Sequence, residues 1–369
     1  MAETTMSLFD LLPEEEAEKY RPKKSTDWKW TFADYPKEKN GLKVFSCFAC
    51  GGGSTMGYKL AGCEVLGCCE IDPKMNEIYI KNHNPKHNFC MDIREFNNLP
   101  NEEIPEELFH LDILDGSPPC TTFSMAGERE ESWGKKKKFR EGQAEQTLDD
   151  LSFVFIETVA KLRPRCVIME NVEGLLLGEA WTYVQEIYRQ FKEIGYQVKH
   201  WLCKGEHMGI PQKRHRVFFI AHREDVDFNL DELDMTFNYE PVTYGDIKAG
   251  QGFPIKENTE TYRILQIAKP CDLRMSDVYV RIGEKERAFA CKIAWEQNVL
   301  QTFIANMEYV RGTEKEWLSI EDIIHGQTFP EDYDFGDRTY RNVGYICGMS
   351  VPPVMIKRIV QRMIESGVL

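Results

Sequence analysis

Leu111-Asp-Ile-Leu-Asp-Gly-Ser-Pro-Pro-Cys120 is the stretch on which the reading of this chain turns. Leu111 to Asp115 is a short apolar run bounded by turn residues, the pattern of a buried parallel strand. The cysteine follows at the carboxyl end of that strand, where open α/β sheets place their ligands. Two prolines stiffen the turn, so the thiol is offered on a fixed backbone. Taken alone, Cys120 could equally be one of the twelve cysteines packing as a small hydrophobe. The neighbouring segments decide between these readings.

Working outward toward the N-terminus, Leu42-Lys-Val-Phe-Ser-Cys-Phe48 is a second buried-strand signal. It runs into Ala49-Cys-Gly-Gly-Gly-Ser-Thr-Met-Gly57 and a helix that stops at Gly62. Strand, glycine-rich turn and helix bring backbone close to a nucleotide-like ligand. The spacing is not that of dinucleotide folds, because the last glycine of G-x-G-x-x-G counted from Gly51 falls on Met56. A strand over Glu64–Glu70 ends in an acid, and a third unit ends in Met91-Asp92-Ile93. Two acids after a glycine turn suit an adenosine group held by its ribose and its amino edge. Cys47-x-x-Cys50 lacks the second pair that a zinc site needs, so no metal is expected.

Beyond Cys120, residues 128–146 are polar and hold Lys135-Lys-Lys-Lys138, either a solvated loop or a lid that meets phosphates. A helix over Thr147–Leu162 precedes strand Cys166–Met169, which delivers Glu170-Asn-Val172 to the same functional edge. A helix over Ala180–Ile194 and strands at Tyr196–Leu202 and Val217–Ala221 continue the rhythm. Between those strands lies Gln212-Lys-Arg-His-Arg216, in which Arg214 and Arg216 alternate on one face of an extended segment. From 222 to 316 the βα rhythm disappears, which predicts a second domain of irregular β character. Residues 317–369 close with an amphipathic helix over Val354–Ile364.

At 369 residues, 42% apolar and 29% charged, the chain is an ordinary globular protein with ample core. No apolar run reaches the roughly 20 residues of a membrane span, so no membrane is expected. The scattered cysteines show no disulfide framework and point to a reducing cytosol. A net charge of −14 argues against indiscriminate coating of nucleic acid but allows a local basic groove. Residues 1–40 are expected to be an acidic, partly ordered extension. Within it, Met6-Ser-Leu-Phe9 resembles peptides that dock on replication sliding clamps, although it lacks their leading glutamine.

Taken together, residues 42 to 364 resemble the DNA (cytosine-5) methyltransferase family. Phe48-Ala-Cys-Gly-Gly-Gly53 looks like its S-adenosylmethionine loop, and Pro118-Pro-Cys120 like its nucleophile motif. Glu170-Asn-Val172 and Gln212–Arg216 are similar to its glutamate and arginine motifs. Gln327-Thr-Phe-Pro330 and Gly348–Pro353 are similar to its closing motifs. The resemblance implies a Rossmann-like, doubly wound, mostly parallel sheet of the class I methyltransferase kind. It implies a catalytic domain at 41–221, a target-recognition domain at 222–316, and a segment, 317–369, that returns to the catalytic domain. The implied catalytic residues are Cys120, Glu170, Arg214 and Arg216. The implied contacts to S-adenosylmethionine, and to its product S-adenosylhomocysteine, are Phe48, Gly51, Gly52, Gly53, Glu70, Ile71, Asp92, Ile93, Pro119 and Met349. The expected partner is double-stranded DNA, with a cognate restriction endonuclease or a sliding clamp as further partners of a monomer in a prokaryotic or viral-host cytoplasm, associated with the nucleoid. Three positions depart from the family pattern: Thr121 follows the nucleophile in place of glutamine, Cys50 replaces a loop glycine, and Met349 replaces the closing asparagine.

The implied chemistry explains the residue types. Cytosine C5 is too weak a nucleophile to take a methyl group from a sulfonium unaided, and thiolate attack at C6 makes it enamine-like. Cys120 would make that attack, Glu170 would share a proton with N3, Arg216 would hold O2, and Arg214 would brace the site. The base must leave the duplex to be reached. Exocyclic-amino methyltransferases carry an aromatic residue where Cys120 stands, and a nicotinamide oxidoreductase fails on glycine spacing. A transfer-RNA cytosine methyltransferase would carry Cys-Phe-Thr in the recognition domain, which is absent here. A non-catalytic DNA-binding relative would be expected to lose the cysteine or the glutamate.

Overall fold

The computed structural model describes residues 22–119, 151–285 and 291–369. Cys120, Met6-Ser-Leu-Phe9, the lysine run 135–138 and Arg287 lie outside the described residues. The first part of the chain alternates strands and helices: β1 (Lys43–Cys47), α1 (Gly53–Leu60), β2 (Glu64–Cys69), α2 (Pro73–His83), β3 (His87–Phe89), α3 (Ile93–Asn98), β4 (Ile113–Gly116), α4 (Leu151–Leu162), β5 (Cys166–Val172), α5 (Trp181–Glu193), β6 (Tyr196–Lys204), β7 (Gln212–Lys213) and β8 (His215–Arg223). Seven of the strands form one sheet in the order β3-β2-β1-β4-β5-β8-β6. The pairs around β1, β2 and β4 are parallel. Helices cover both faces, which is why β1, β4 and β5 read as near-continuous apolar runs.

β8 runs antiparallel to both β5 and β6. A parallel return needs a crossover of about a dozen residues or more. The link from Lys204 to His215 holds only a single 3-10 turn and β7, so the chain doubles back beside β6. Chain order reverses at β1, whose two neighbours are β2 and β4. The glycine turn after β1 and the Gly-Ser-Pro-Pro turn after β4 therefore emerge side by side, with Cys47 paired to Gly116. Such a reversal opens a crevice at the carboxyl ends of the strands.

The region from 222 onward is less purely β than its pattern suggested. It contains α6 (Tyr244–Ile247), β9 (Phe253–Pro254), α7 (Glu260–Leu265), α8 (Met275–Arg281), β10 (Lys292–Ala294), β11 (Leu300–Gln301), β12 (Tyr309–Arg311) and β13 (Glu316–Trp317). Its four-stranded sheet has the order β10-β12-β13-β9, and α7 and α8 pack on it through Ile264, Leu265, Met275 and Tyr279. The strand β11 instead pairs with β7 of the first part.

The chain returns through α9 (Ile320–Gly326), α10 (Tyr340–Met349) and α11 (Pro353–Ser366). α11 crosses α1 at Gly57, where a Cβ would stand 2.4 Å from the Pro353 carbonyl oxygen. The stretch Tyr340–Ser366 is apolar enough to be compared with a membrane helix, but 83% of that apolar window is buried inside the fold. Residues 22–40, read from sequence as part of an extension, are fastened to this returning segment. Trp30 is 6% exposed and its indole donates to the Thr328 carbonyl at 2.8 Å. Asp27 pairs with Lys357 and Arg358. Trp28, Trp30 and Phe32 alternate at the spacing of a strand, but residues 28–32 form none; with Tyr35 they pack against the returning segment.

Candidate active site

The loop after β1 bends through three left-handed residues, Phe48 (φ 57°), Cys50 (φ 47°) and Gly52 (φ 81°). Only Gly52 takes that conformation without strain. Two side chains hold the loop through the Gly51 carbonyl oxygen. The Tyr333 hydroxyl donates to it at 2.5 Å, and His83 Nε2 lies 3.3 Å away. Burial pushes the His83 pKa down to about 3, with Lys59 adding to the effect, so the ring is neutral and donates from Nε2. The glycines exist for packing. A Cβ on Gly51 would meet Ile346 and Tyr333, one on Gly52 would meet His83, and one on Gly53 would meet the Val351 carbonyl. Gly51 and Gly53 thus let the closing segment seat against the loop and Gly52 makes room for His83, while Phe48 and Cys50 face the ligand space.

That space is a cleft of about 200 Å³, open to solvent. One wall is Phe48, Cys50, Glu70 and Ile71; the turn Ser117–Pro119 forms its floor; Glu170, Asn171, Arg214 and Arg216 form the opposite wall, with Gly348 and Met349 at the end. Glu70 directly follows β2 and accepts from Cys50 N at 2.7 Å and Asp72 N at 2.8 Å. Burial raises its pKa against the pull of those backbone donors. Asp92 and Ile93 lie in a smaller adjoining pocket with Ile71, Met91 and Leu151. Asp92 is not at a strand end but caps α3, accepting from Arg94 N at 2.8 Å.

On the opposite wall, β5 carries Glu170 and the antiparallel β8 carries Arg216, in a register that pairs Val172 with Arg216. Arg216 Nε stands 2.8 Å from Glu170 Oε1 as an ion pair, and Arg216 Nη1 donates to the His215 carbonyl. Arg214 is 3% exposed and donates from Nη1 to the carbonyls of Phe303 and Gly348, each at 3.3 Å. Burial lowers its pKa to about 9, helped by Arg216 and opposed by Glu170, so it stays charged at neutral pH. Gln212 donates to the Gly326 carbonyl and to Gln327, each at 2.7 Å, and Gln327 donates to the Ser350 carbonyl at 2.7 Å. The arginine motif and both closing motifs are thereby one hydrogen-bonded unit.

Two buried donors facing this cleft, Asn171 Nδ2 and Arg214 Nε, have no partner among the described residues. Buried donors are rarely left unmatched, so a polar or anionic ligand fits here. Among the described residues no group of histidine, cysteine and carboxylate side chains could hold a metal ion. Sequence reasoning passed over Asn171, Ser117 and Tyr345, which also line the cleft. Asn171 lay inside a quoted motif, whereas Tyr345 gave no local signal because it arrives from a distant helix.

A family model described as C-5 cytosine-specific DNA methylase matches residues 42–269. The chain is 25% identical to the type II methyltransferase M.FnuDI of Fusobacterium nucleatum, over 88% of this chain and 96% of that enzyme. It is 26% identical to M.Sau96I of Staphylococcus aureus, over 84% of this chain and 73% of that enzyme. Among solved structures, DNMT2 of Spodoptera frugiperda superimposes with a TM-score of 0.62 at 15% identity, covering 88% of this chain and 100% of that one. S. pombe Dnmt2 does so at 0.57 and 15%, covering 89% and 100%.

Proposed function

The chain belongs to the C-5 cytosine-specific DNA methylase family and is a DNA (cytosine-5)-methyltransferase, and on that premise we propose that it methylates C5 of a cytosine flipped out of a specific duplex sequence. The observation that carries this reading is the cleft in which Glu170, Arg216 and Arg214 face the turn that leads into Cys120. S-adenosylmethionine, when bound, supplies an electrophilic methyl group. The cofactor wall suits it: Glu70 is positioned to accept from ribose hydroxyls, the pocket of Asp92 and Ile93 to take an adenine edge, and the unpartnered Asn171 amide to donate to a carboxylate.

In the proposed reaction the Cys120 thiolate adds to C6 of the base, and the C5–C6 electrons become an enamine. C5 would then form a bond to the methyl carbon as that carbon's bond to the sulfonium sulfur breaks, leaving S-adenosylhomocysteine. Loss of the C5 proton restores the double bond and expels the thiolate, so the enzyme is regenerated. Glu170 shares a proton with N3 as charge builds on the ring, and Arg216 steadies O2. Arg214 acts at a distance, by fixing the strand that carries Arg216. The working partner is double-stranded DNA, and a cognate restriction endonuclease fits the type II names of the relatives. Bisulfite sequencing of DNA from cells producing the protein tests the reading: protected cytosines should recur in one sequence context. Uniform conversion of all cytosines would overturn it.

A further inference from the structure

Asp115 is the last residue but one of β4, immediately before the turn that leads into Cys120, and it is 2% exposed. Its Oδ2 accepts from Ser46 Oγ at 2.6 Å and its Oδ1 from Tyr58 OH at 3.0 Å. Ser46 lies on β1, two residues before Phe48, and Tyr58 lies on α1 just after the glycine turn. Two positions further on, Ser117 Oγ donates to the Phe48 carbonyl at 3.4 Å. The two turns that bound the cleft are thus tied to each other twice, and one tie is a carboxylate.

A carboxylate is a costly choice for that place. The ionisable groups acting on it are Glu170 from β5, Cys47 from β1, Tyr58 from α1 and Tyr79 from α2. Among the described residues none of its ionisable neighbours is a cation, and a buried charge without a counter-charge is destabilising. An amide or a small apolar residue would be cheaper for packing alone. Neither would serve the two hydroxyls, since a carboxylate accepts on both oxygens whereas an amide accepts on only one.

We propose that Asp115 is a positioning residue that braces the cofactor loop to the nucleophile turn by accepting from Ser46 and Tyr58 together. This rests on the reading of the cleft as a cofactor and cytosine site. When Asp115 takes up a proton one oxygen becomes a donor, the hydroxyl facing it must rotate to accept instead, both bonds lose their charge assistance, and the brace loosens. Burial moves this change into the working range, since the carboxyl is pushed up to about 7, the hydroxyl partners opposing and Glu170 adding. Cofactor binding should therefore tighten as pH rises through 7. Stability should move the other way. A carboxyl whose pKa is raised on folding holds its proton longer in the folded chain, so it lowers stability as pH rises from about 4 to 7. A purely structural residue would move both measurements in the same direction.

The test is calorimetric titration of S-adenosylhomocysteine into wild-type, Asp115→Asn and Tyr58→Phe proteins from pH 6 to 8.5, with melting temperatures recorded alongside. The wild type should bind at least fivefold more tightly at pH 8 than at pH 6. Asp115→Asn should bind at all pH values about as weakly as the wild type does at pH 6, yet melt no lower than wild type at pH 8. Tyr58→Phe should lose part of the pH slope. Wild-type affinity and slope in Asp115→Asn would overturn the proposal. Because binding is read without methyl transfer, a wild type that binds S-adenosylhomocysteine but methylates no cytosine would overturn the function proposed above and leave this test standing. A wild type that does not bind it would overturn both.

Discussion

Arg216 Nε stands 2.8 Å from Glu170 Oε1 across the antiparallel pairing of β8 with β5. Each group occupies the other in the free protein, so an entering base must exchange this pair for its own N3 and O2. Glu170→Gln keeps the shape and removes the shared proton. It should lower the methylation rate by about 10²–10⁴-fold, the usual range for a positioned acid or base. S-adenosylhomocysteine affinity should stay within about twofold, because Glu70 and Cys50 are untouched. A wild-type turnover rate in this variant would remove Glu170 from the chemistry.

The Gly51 carbonyl offers a second test, on the cofactor side. Its partner Tyr333 is buried and donates to it at 2.5 Å. Tyr333→Phe deletes one hydroxyl and leaves the carbonyl to His83 alone. The expected effect is a loss of about 1–3 kcal/mol, the range for an under-satisfied buried acceptor. It should appear as a higher KM for S-adenosylmethionine, with a smaller change in kcat. An unchanged KM would mean that Ile346 and His83 hold the loop without this bond.

His215, between the two arginines, lies 3.1 Å from Glu173 and 2.9 Å from Glu206. The hydrogen bond that the ring donates to Glu206 is the chief reason its pKa is raised, and burial opposes it. A histidine raised on folding contributes stability that is full below its unfolded pKa of about 6.5 and is lost as pH rises through the folded value. Melting temperature should therefore fall from about pH 6.5 upward in the wild type, and His215→Gln should flatten that part of the slope. Parallel pH curves for the two proteins would show that His215 carries no linkage.

The second region is anchored by Arg311 and Asp322, whose side chains are 4% and 0% exposed and meet at 2.6 Å. Asp322 also accepts from Ala249 N at 2.9 Å and from Tyr244 OH at 3.0 Å. Arg311→Met leaves a buried carboxylate without its counter-charge and should destabilise by about 3–5 kcal/mol in urea unfolding. By contrast, Arg263 and Arg281 of the same region are engaged at more exposed positions with Glu260 and Asp272. Their guanidinium groups must leave those partners before they can reach DNA. A loss below about 1 kcal/mol in Arg311→Met would place the pair among exposed, weak ion pairs.

The parallel half of the sheet was legible because each strand is an apolar run closed by a turn, and because helices stop at glycines such as Gly62 and Gly195. The edge that lines the cleft was legible too, since Glu70 and the Pro118-Pro119 turn follow β2 and β4 and Glu170 lies near the carboxyl end of β5. What could not be read were the long-range ties. Tyr333 is 282 positions from Gly51 and Trp30 is 298 from Thr328, and no periodicity encodes such contacts. The short helices α7 and α8 escaped because two turns or fewer leave little 3.6-residue pattern. Asp115 looked like a strand residue; only its partners Ser46 and Tyr58 reveal a buried acid.

The nucleophile gives the most direct prediction, since it concerns a bond rather than a rate. If Cys120 adds to C6, the intermediate resolves only when the C5 proton leaves. Fluorine at C5 cannot leave in that way, so duplex DNA carrying 5-fluorocytosine at the target should become covalently attached to the protein. The adduct should require S-adenosylmethionine and survive denaturing electrophoresis. It should vanish in Cys120→Ser, because a hydroxyl is a far poorer nucleophile near neutral pH. An enzyme acting on an exocyclic amino group forms no such adduct, and an enzyme that prefers RNA would be trapped on RNA oligonucleotides instead. Methylation by Cys120→Ser at the wild-type rate would end the covalent mechanism, whatever the surrounding motifs resemble.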